Sequence, residues 1–509
     1  MRVLFANNWI RIAIGVFFAL ISVSLFAIAM CRGLNRDEHQ FIAAGTLLAR
    51  QGLLPYRDYA YFHFPNLVFV YAGLFRCSKH LLLSSRLFSV LCSLALLVII
   101  YRFSSSRLEQ LHKRARLAVA GAITVCAFSN PIFRFTCWRA WNHPLPVLLT
   151  VLGCLCHFDN LARNSMARLV WTGALIGFAA GSRLTFAPAA LAFLAVIFCS
   201  EMGPRGLRRA GWFSLGLMLG LLPAIVLFLM CPNQFVFGNF GYNAKLYPML
   251  CRIGGLEHEM SPFFKLRYFL TNILAQPGNA ALILGLGYFL VRSGAWRWAR
   301  DPGSWLLPLL SGTLFLGALV AAIPLPQYFY APVPLAVIGL AISIAKTAPM
   351  LRKDYCVLFI VTMVCIASTA VDYRYLGRLF QPEAWATIKV HRAGRRLASL
   401  TGQGKVLTLS PIFPLEGGLR IYPELTAEPF ACRSASFLRT SARVKYKMLA
   451  IRDFPRLLIK EPAQGILVSS DSVLDQSLAV FATTHGYQKF PVVGEISVYL
   501  PPTRIAASR

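Results

Sequence analysis

Asp37 and Glu38 stand side by side in "GLNRDEHQFIAAGTLLARQGLLPYRDYAYFHFPN", residues 33–66, a stretch crowded with arginines and aromatic residues. Acids are scarce in this chain, 20 Asp and Glu among 509 residues against 51 Lys and Arg, so two together ask for an explanation. A carboxylate at a water edge can take the proton of an attacking hydroxyl as general base, while a second orients the site or adds a hydrogen bond. Adjacent residues on a helix point in different directions, so the two acids are expected to divide such work. The pair also suits a plainer role, because the helix dipole favours acids in a first turn.

Cations that could answer these acids are Arg57, Arg139, Arg183, Arg252 and Arg267, each near the end of an apolar run. An arginine there can snorkel toward lipid head groups or fork onto a phosphate. Arg183, in "GFAAGSRLTFAPAA", falls in a break between two short apolar halves and is flanked by small residues, which suits the phosphate role. His63 in "YFHFP" and His143 in "WNHP" each precede a proline-linked turn, as hydrogen-bonding residues of the turn or as neutral contacts to a phosphate. Tyr328 and Tyr330 in "PLPQYFYAPVP" fit an ordinary aromatic belt. Neither metal nor cofactor is expected, since no Asp-x-Asp and no clustered His/Asp set occurs among these segments. The 13 cysteines form no CxxC pair and fall mostly in apolar runs, as small hydrophobes.

The elements that must position these residues are apolar. At 57% hydrophobic and 14% charged, the chain reads as a polytopic α-helical membrane protein. Runs near 12–31, 81–102, 117–135, 144–158, 171–182, 184–200, 211–231, 270–291, 304–323, 331–346 and 355–371 predict about eleven transmembrane helices. The first reads as a retained signal anchor, and "FPNLVFVYAGLF" as an interfacial helix too short to cross. With the N-terminus cytoplasmic, "RFSSSRLEQLHKRAR", "DNLARNSMAR", "EMGPRGLRRA", "RSGAWRWAR" and "KTAPMLRKD" all lie inside, and all are basic. The outer face then keeps Asp37, Glu38, Asp58, Glu257 and Glu259, while Glu109, Asp159, Glu201, Asp301 and Asp354 stay inside. No span has an acid at its centre, which argues against an ion-coupled transporter. Residues 1–371 are expected to form the membrane domain, with a first outer loop at 32–80. Residues 372–509 change to alternating strand-like and helix-like segments, a small soluble α/β domain on the outer side. The net charge of +31 is dispersed in short clusters, without the basic domain or aromatic platform that nucleic-acid binding needs.

Together these residues resemble a family, the polyprenyl-phosphate-sugar-dependent glycosyltransferases of the GT-C fold, near the protein O-mannosyltransferases and the bacterial lipid A aminoarabinose transferases. The likeness rests on "DE" at 37–38, "GLLPYRD" at 52–58 and "HFP" at 63–65, with "GFAAGSRLTFAP" and "PQYFYAPVPLAV" farther on. It extends over about 370 residues in topology and is detailed only in the 33–66 loop; the soluble MIR domain of the protein O-mannosyltransferases has no counterpart here. The resemblance implies an inverting transfer of a sugar from a polyprenyl-phosphate donor to an acceptor hydroxyl on a glycolipid, glycan or protein, at the outer face of a bacterial inner membrane. It makes Asp37 the base and Glu38 its positioning partner. Arg57, Arg139 and Arg183 become the cations for the leaving phosphate, with Asp58, His63 and Tyr328 around the substrate. No cofactor beyond the lipid-linked sugar is implied. Two alternatives stay open: a lipid-sugar flippase or polysaccharide exporter, which would carry its cations through the spans, and a noncatalytic membrane subunit whose outer domain binds a partner. The tail, on the same side as the 33–66 loop, is expected to act as a lid or acceptor guide, or to serve packing alone.

Overall fold

The computed structural model describes residues 2–163, 165–294, 305–347, 349–469 and 474–502. The loop expected at Arg292–Arg300 and the acid Asp301 fall largely or wholly outside the described residues.

The chain begins with α1 (Arg2–Cys31), α2 (Arg36–Gln51), α3 (Asn66–Cys77), α4 (Leu81–Arg107), α5 (Lys113–Phe128), α6 (Pro131–Thr136) and α7 (Pro144–Arg163). There follow α8 (Met166–Ser182), α9 (Pro188–Ser200), α10 (Pro204–Gly220), α11 (Leu222–Met230), α12 (Pro232–Val236), α13 (Tyr247–Ile253) and α14 (Pro262–Tyr268). The bundle closes with α15 (Pro277–Arg292), α16 (Leu306–Leu319), α17 (Pro332–Lys346) and α18 (Arg352–Ser368). Among the described residues three helices are individually long and apolar enough to cross a bilayer: Trp9–Cys31, Leu81–Arg107 and Pro326–Lys346.

Several expected spans are broken, and proline explains where. The run 117–135 ends at Phe128, and Asn130 caps a new short helix whose first residue is Pro131. The run 270–291 starts at Pro277; the preceding helical segment Pro262–Leu274 lies 91° away, because the residue before a proline is driven out of helical geometry and Gln276 is extended. Likewise α10 and α11 meet at 63° just before Pro223. The segment 232–269, between two of the expected spans, is largely helical, with a π-helical stretch at Phe237–Leu246.

Small residues bring α8 and α10 into backbone contact. A Cβ on Gly173 or Gly177 would sit 2.0 or 2.2 Å from a carbonyl oxygen of α10, and one on Gly216 or Gly220 would sit 2.0 or 2.3 Å from a carbonyl of α8. Two small-xxx-small rows thus interlock, which is how helices gain close packing where water supplies no drive. Asn66, the first residue of α3, donates to Gly220 O (2.9 Å) and so ties the "HFPN" turn to this pair.

The tail holds α19 (Ala386–Thr401), α20 (Ile412–Glu416), α21 (Phe430–Ala435), α22 (Thr440–Lys445), α23 (Phe454–Lys460) and α24 (Leu474–Thr484) around a five-stranded sheet. Its strands β1 (Lys405–Thr408), β2 (Arg420–Ile421), β3 (Gly465–Val468), β4 (Gln488–Val493) and β5 (Ile496–Leu500) run in the order β2-β1-β3-β5-β4, with β1 parallel to β2 and β3 and the β4–β5 hairpin antiparallel. The expected division at 371/372 falls inside a 3-10 helix, Ala370–Arg378, that packs on α1 through Asp372, which pairs with Arg32. The helix-and-sheet part begins only at Ala386, after Trp385 has packed on Phe26 of α1.

The tail is also continuous with the segment around α2. Ile42, Leu47 and Tyr59 share one buried core with Val390, Leu397, Val406 and Leu415. Arg50 donates to Leu415 O (2.7 Å), and Glu416 accepts from Leu82 N (2.8 Å). These bonds tie α20 of the tail to both α2 and the first turn of α4.

Candidate active site

The site is built on the N-terminus of α2. Asn35 is extended and accepts a hydrogen bond from Asp37 N (3.0 Å), while the Glu38 carboxylate reaches back to accept from Asn35 N (2.8 Å). This reciprocal cap fixes which way each acid points. Glu38 turns inward and is fully buried, where Arg86 of α4 forks onto it through Nε (2.9 Å) and Nη2 (2.7 Å), and Ala140 N adds a third contact (3.0 Å). The remaining Arg86 N–H groups donate to Ala29 O, Arg32 O and Gly33 O at 2.7–2.8 Å. Burial alone would raise the Glu38 pKa, but the adjoining Arg86 charge and these donors hold it below the usual range.

Asp37 is half-buried, and its carboxylate has no hydrogen bond among the described residues. Burial pushes its pKa up to about 6, against Arg183 and Arg139, which favour the ionised form; Glu38 adds a smaller upward push. The cap therefore sets one acid in a saturated ion pair and leaves its neighbour open, between two arginines.

Arg183 occupies the extended residue between α8 and the 3-10 turn Leu184–Phe186. The α8–α10 glycine contact sets the position of that turn. Its guanidinium donates to Asn142 Oδ1 (2.7 Å) and Thr185 Oγ1 (3.0 Å), and lies 5.0 Å over the ring of Tyr328. His143 stacks on the same tyrosine at 6.4 Å, and both of its ring nitrogens are buried without a partner among the described residues. His63 interacts with Arg183 and His143, and packs on Phe41 and Tyr61. Its carbonyl accepts from Tyr56 OH, which in turn accepts from Asn239 in the π-helical stretch (3.1 Å). Burial, with Arg183 second, lowers His63 to about 3, and His143 also falls well below the ordinary imidazole value. Both rings are neutral at physiological pH and can donate one hydrogen bond each without adding charge.

Six of the candidates, Asp37, His63, Arg139, His143, Arg183 and Tyr328, thus come together, with Glu38 directly behind. Arg57 and Asp58 do not join them: they pair with each other at 2.7 Å, and Asp58 accepts from Leu54 N (2.7 Å) within the "LLPYRD" turn. Arg252 is exposed and pairs with Glu257. Sequence reasoning missed Arg86 and Asn142. Arg86 had a signal, since an arginine with Ser85 and Ser89 inside an apolar helix has to find an acid.

Next to the cluster lies an apolar cavity of about 910 Å³ between α15, α16 and α17, lined by Ile273, Leu282, Leu286, Phe329, Val333 and Gly339 among others. Phe329 follows Tyr328 directly, so one short turn borders both the cationic cluster and the cavity.

This architecture is the GT-C fold. A solved structure of ArnT from Cupriavidus metallidurans bound to undecaprenyl phosphate superposes with a TM-score of 0.63, at 13% identity, over 97% of this chain and 98% of that one. The apo state of the same protein gives 0.61 with the same identity and coverage. No protein-family model and no curated protein sequence matches the chain.

Proposed function

We propose that the chain is an inverting membrane glycosyltransferase that moves a sugar from a polyprenyl-phosphate donor to an acceptor hydroxyl at the outer face. The observation that carries this reading is the open Asp37 carboxylate within the electrostatic reach of Arg183 and Arg139, with Arg183 against Tyr328, whose neighbour Phe329 lines an apolar cavity. ArnT, of the same fold, holds undecaprenyl phosphate in its own structure, which supports the donor class.

Asp37 takes the proton of the acceptor hydroxyl as that oxygen attacks the anomeric carbon from the face opposite the phosphate. The bond from that carbon to the phosphate oxygen breaks, its electron pair stays on the oxygen, and the polyprenyl phosphate leaves as an anion. Because the leaving group is already a stable anion, cations and neutral donors suffice and no strong general acid is required. Arg183, steered by Asn142 and Thr185, supplies the charge, and the neutral imidazoles of His63 and His143 supply donors. The isoprenoid chain extends into the apolar cavity past Phe329. Glu38 positions α2 through Arg86 and stays out of the proton transfer. The tail braces α2 from behind, and through that contact guides the acceptor to Asp37.

The test is transfer from a panel of radiolabelled polyprenyl-phosphate sugars by the purified protein in native-like lipid. Label released from one donor, to acceptor or to water, is the expected result. Donors that neither bind nor react across the panel would overturn the reading.

A further inference from the structure

On the Asn35 side of Asp37 a second recess of about 360 Å³ opens, and three guanidiniums line it: Arg32, Arg139 and Arg374, together with Trp138 and Tyr375. The charges around it do not balance. Arg86 takes Glu38 (2.7 Å), while Arg32 (2.5 Å) and Arg134 (3.4 Å) divide Asp372 between them. Arg139 and Arg374 have no carboxylate within salt-bridge distance among the described residues.

Arg139 is held by its faces. Phe135, Trp141 and Trp138 lie 3.9, 4.4 and 5.0 Å from its guanidinium, and its Nε is buried with no hydrogen-bond partner. Aromatic faces stabilise a cation without using its in-plane N–H groups, so the edge of the fork stays available. Arg374 is exposed at the rim, donates to Tyr375 OH (3.1 Å) and lies 5.1 Å over that ring. Arg32 lies 5.4 Å over the same ring. Like charges gathered in a partly desolvated recess repel one another unless an anion sits among them.

We propose that Arg32, Arg139 and Arg374 form a second anion subsite, distinct from the Arg183 side, that takes an oxyanionic group, phosphate or carboxylate, carried by the acceptor. The proposal rests on the transfer reading above, in which Arg183, beside the cavity, takes the donor phosphate. Asp37 is flanked by both Arg183 and Arg139, so an acceptor anchored in the recess brings a nearby hydroxyl to the base from the side away from the donor. A phospholipid head group at the membrane edge offers the same chemistry as a phosphorylated sugar, and the experiment separates the two.

The probe is glucose 1-phosphate, its binding measured on the full chain in phosphatidylcholine nanodiscs with undecaprenyl phosphate present at saturation. Wild type is expected to bind it without losing undecaprenyl phosphate. Arg374→Gln should weaken binding about tenfold or more, and Arg374→Lys should restore much of it, since one charge-assisted contact separates them. Arg374 lies at the rim, so folding is not at stake. If binding is strong in phosphatidylcholine and suppressed in phosphatidylglycerol nanodiscs in an Arg374-dependent way, the subsite stands and a lipid head group is its occupant. Equal affinity in wild type and Arg374→Gln, displacement of undecaprenyl phosphate by the probe, or no binding of either anion would overturn the proposal. Failure of undecaprenyl phosphate to bind while probe binding still depends on Arg374 would instead remove the donor assignment and leave the subsite in place.

Discussion

Glu38 receives four hydrogen bonds, two from Arg86 and one each from Asn35 N and Ala140 N, in a region with no exposure to solvent. One residue earlier, Asp37 faces a region where Arg183 and Arg139 stand near without bonding it and His143 keeps both ring nitrogens unpartnered. The two regions share a helix turn and differ in completeness. A saturated pair holds geometry, because every lone pair and N–H is used; an unsaturated one retains capacity for a substrate. Buried polar groups left open are costly, and they persist where a ligand completes them.

Breaking the saturated region should cost the most. Arg86→Met leaves Glu38 buried without its cation, and losing one partner of such a pair costs about 3–5 kcal/mol. A large fall in thermal stability, with little folded protein recovered, is expected; normal stability would show that the pair is dispensable.

The unsaturated region should respond through pH. With Asp37 raised to about 6, turnover is expected to fall about tenfold for each unit of pH below that value, as the base becomes protonated. The same shift fixes the sign for folding. A carboxyl group near 3.9 when unfolded and about 6 when folded holds its proton more tightly in the folded state, so ionising it above pH 6 opposes folding. Asp37→Asn should therefore raise the melting temperature at pH 7, and the gain should vanish below about pH 4. A pH–rate profile and two thermal scans check both statements.

Tyr328 sharpens the contrast at a smaller scale. Its hydroxyl hydrogen-bonds Arg183 and its ring lies 5.0 Å from the same guanidinium, and the ring is expected to carry the larger share. Tyr328→Phe is expected to keep turnover within about threefold and Tyr328→Ala to lose several-fold more, since a partly desolvated cation–π contact contributes about 1–2 kcal/mol. The smallest effect is expected at the Arg57–Asp58 turn, where Arg57→Gln should change stability by about 0–1 kcal/mol, as for other exposed pairs, and leave turnover unchanged.

Part of this was legible in the sequence. The paired acids at a helix start, the small residues around Arg183 and the aromatic turn at Tyr328 are local patterns, and local patterns can be read from one chain. That Asp37 and Glu38 point different ways follows from helix geometry, but the ion pair that fixes Glu38 does not, because Arg86 approaches from a helix 48 residues on in the chain. The resemblance placed Arg57 and Asp58 at the substrate through the "GLLPYRD" motif. In the fold they pair with each other and close that turn, apart from the Asp37 cluster. The bent spans were also hidden: apolar composition continues across Pro223, and the run 270–291 reads straight through Gln276-Pro277-Gly278-Asn279, while helix direction changes at both. The core shared by α2 and the tail joins residues more than 300 apart, which no local pattern encodes.

The central claim is that Asp37 does chemistry while the cap and the Glu38–Arg86 pair hold it in place. The direct test measures undecaprenyl-phosphate binding and sugar release on the same purified samples of wild type and Asp37→Asn. The account predicts equal binding, an equal or higher melting temperature, and turnover lower by about 10²–10⁴-fold. Full turnover in the variant would contradict it.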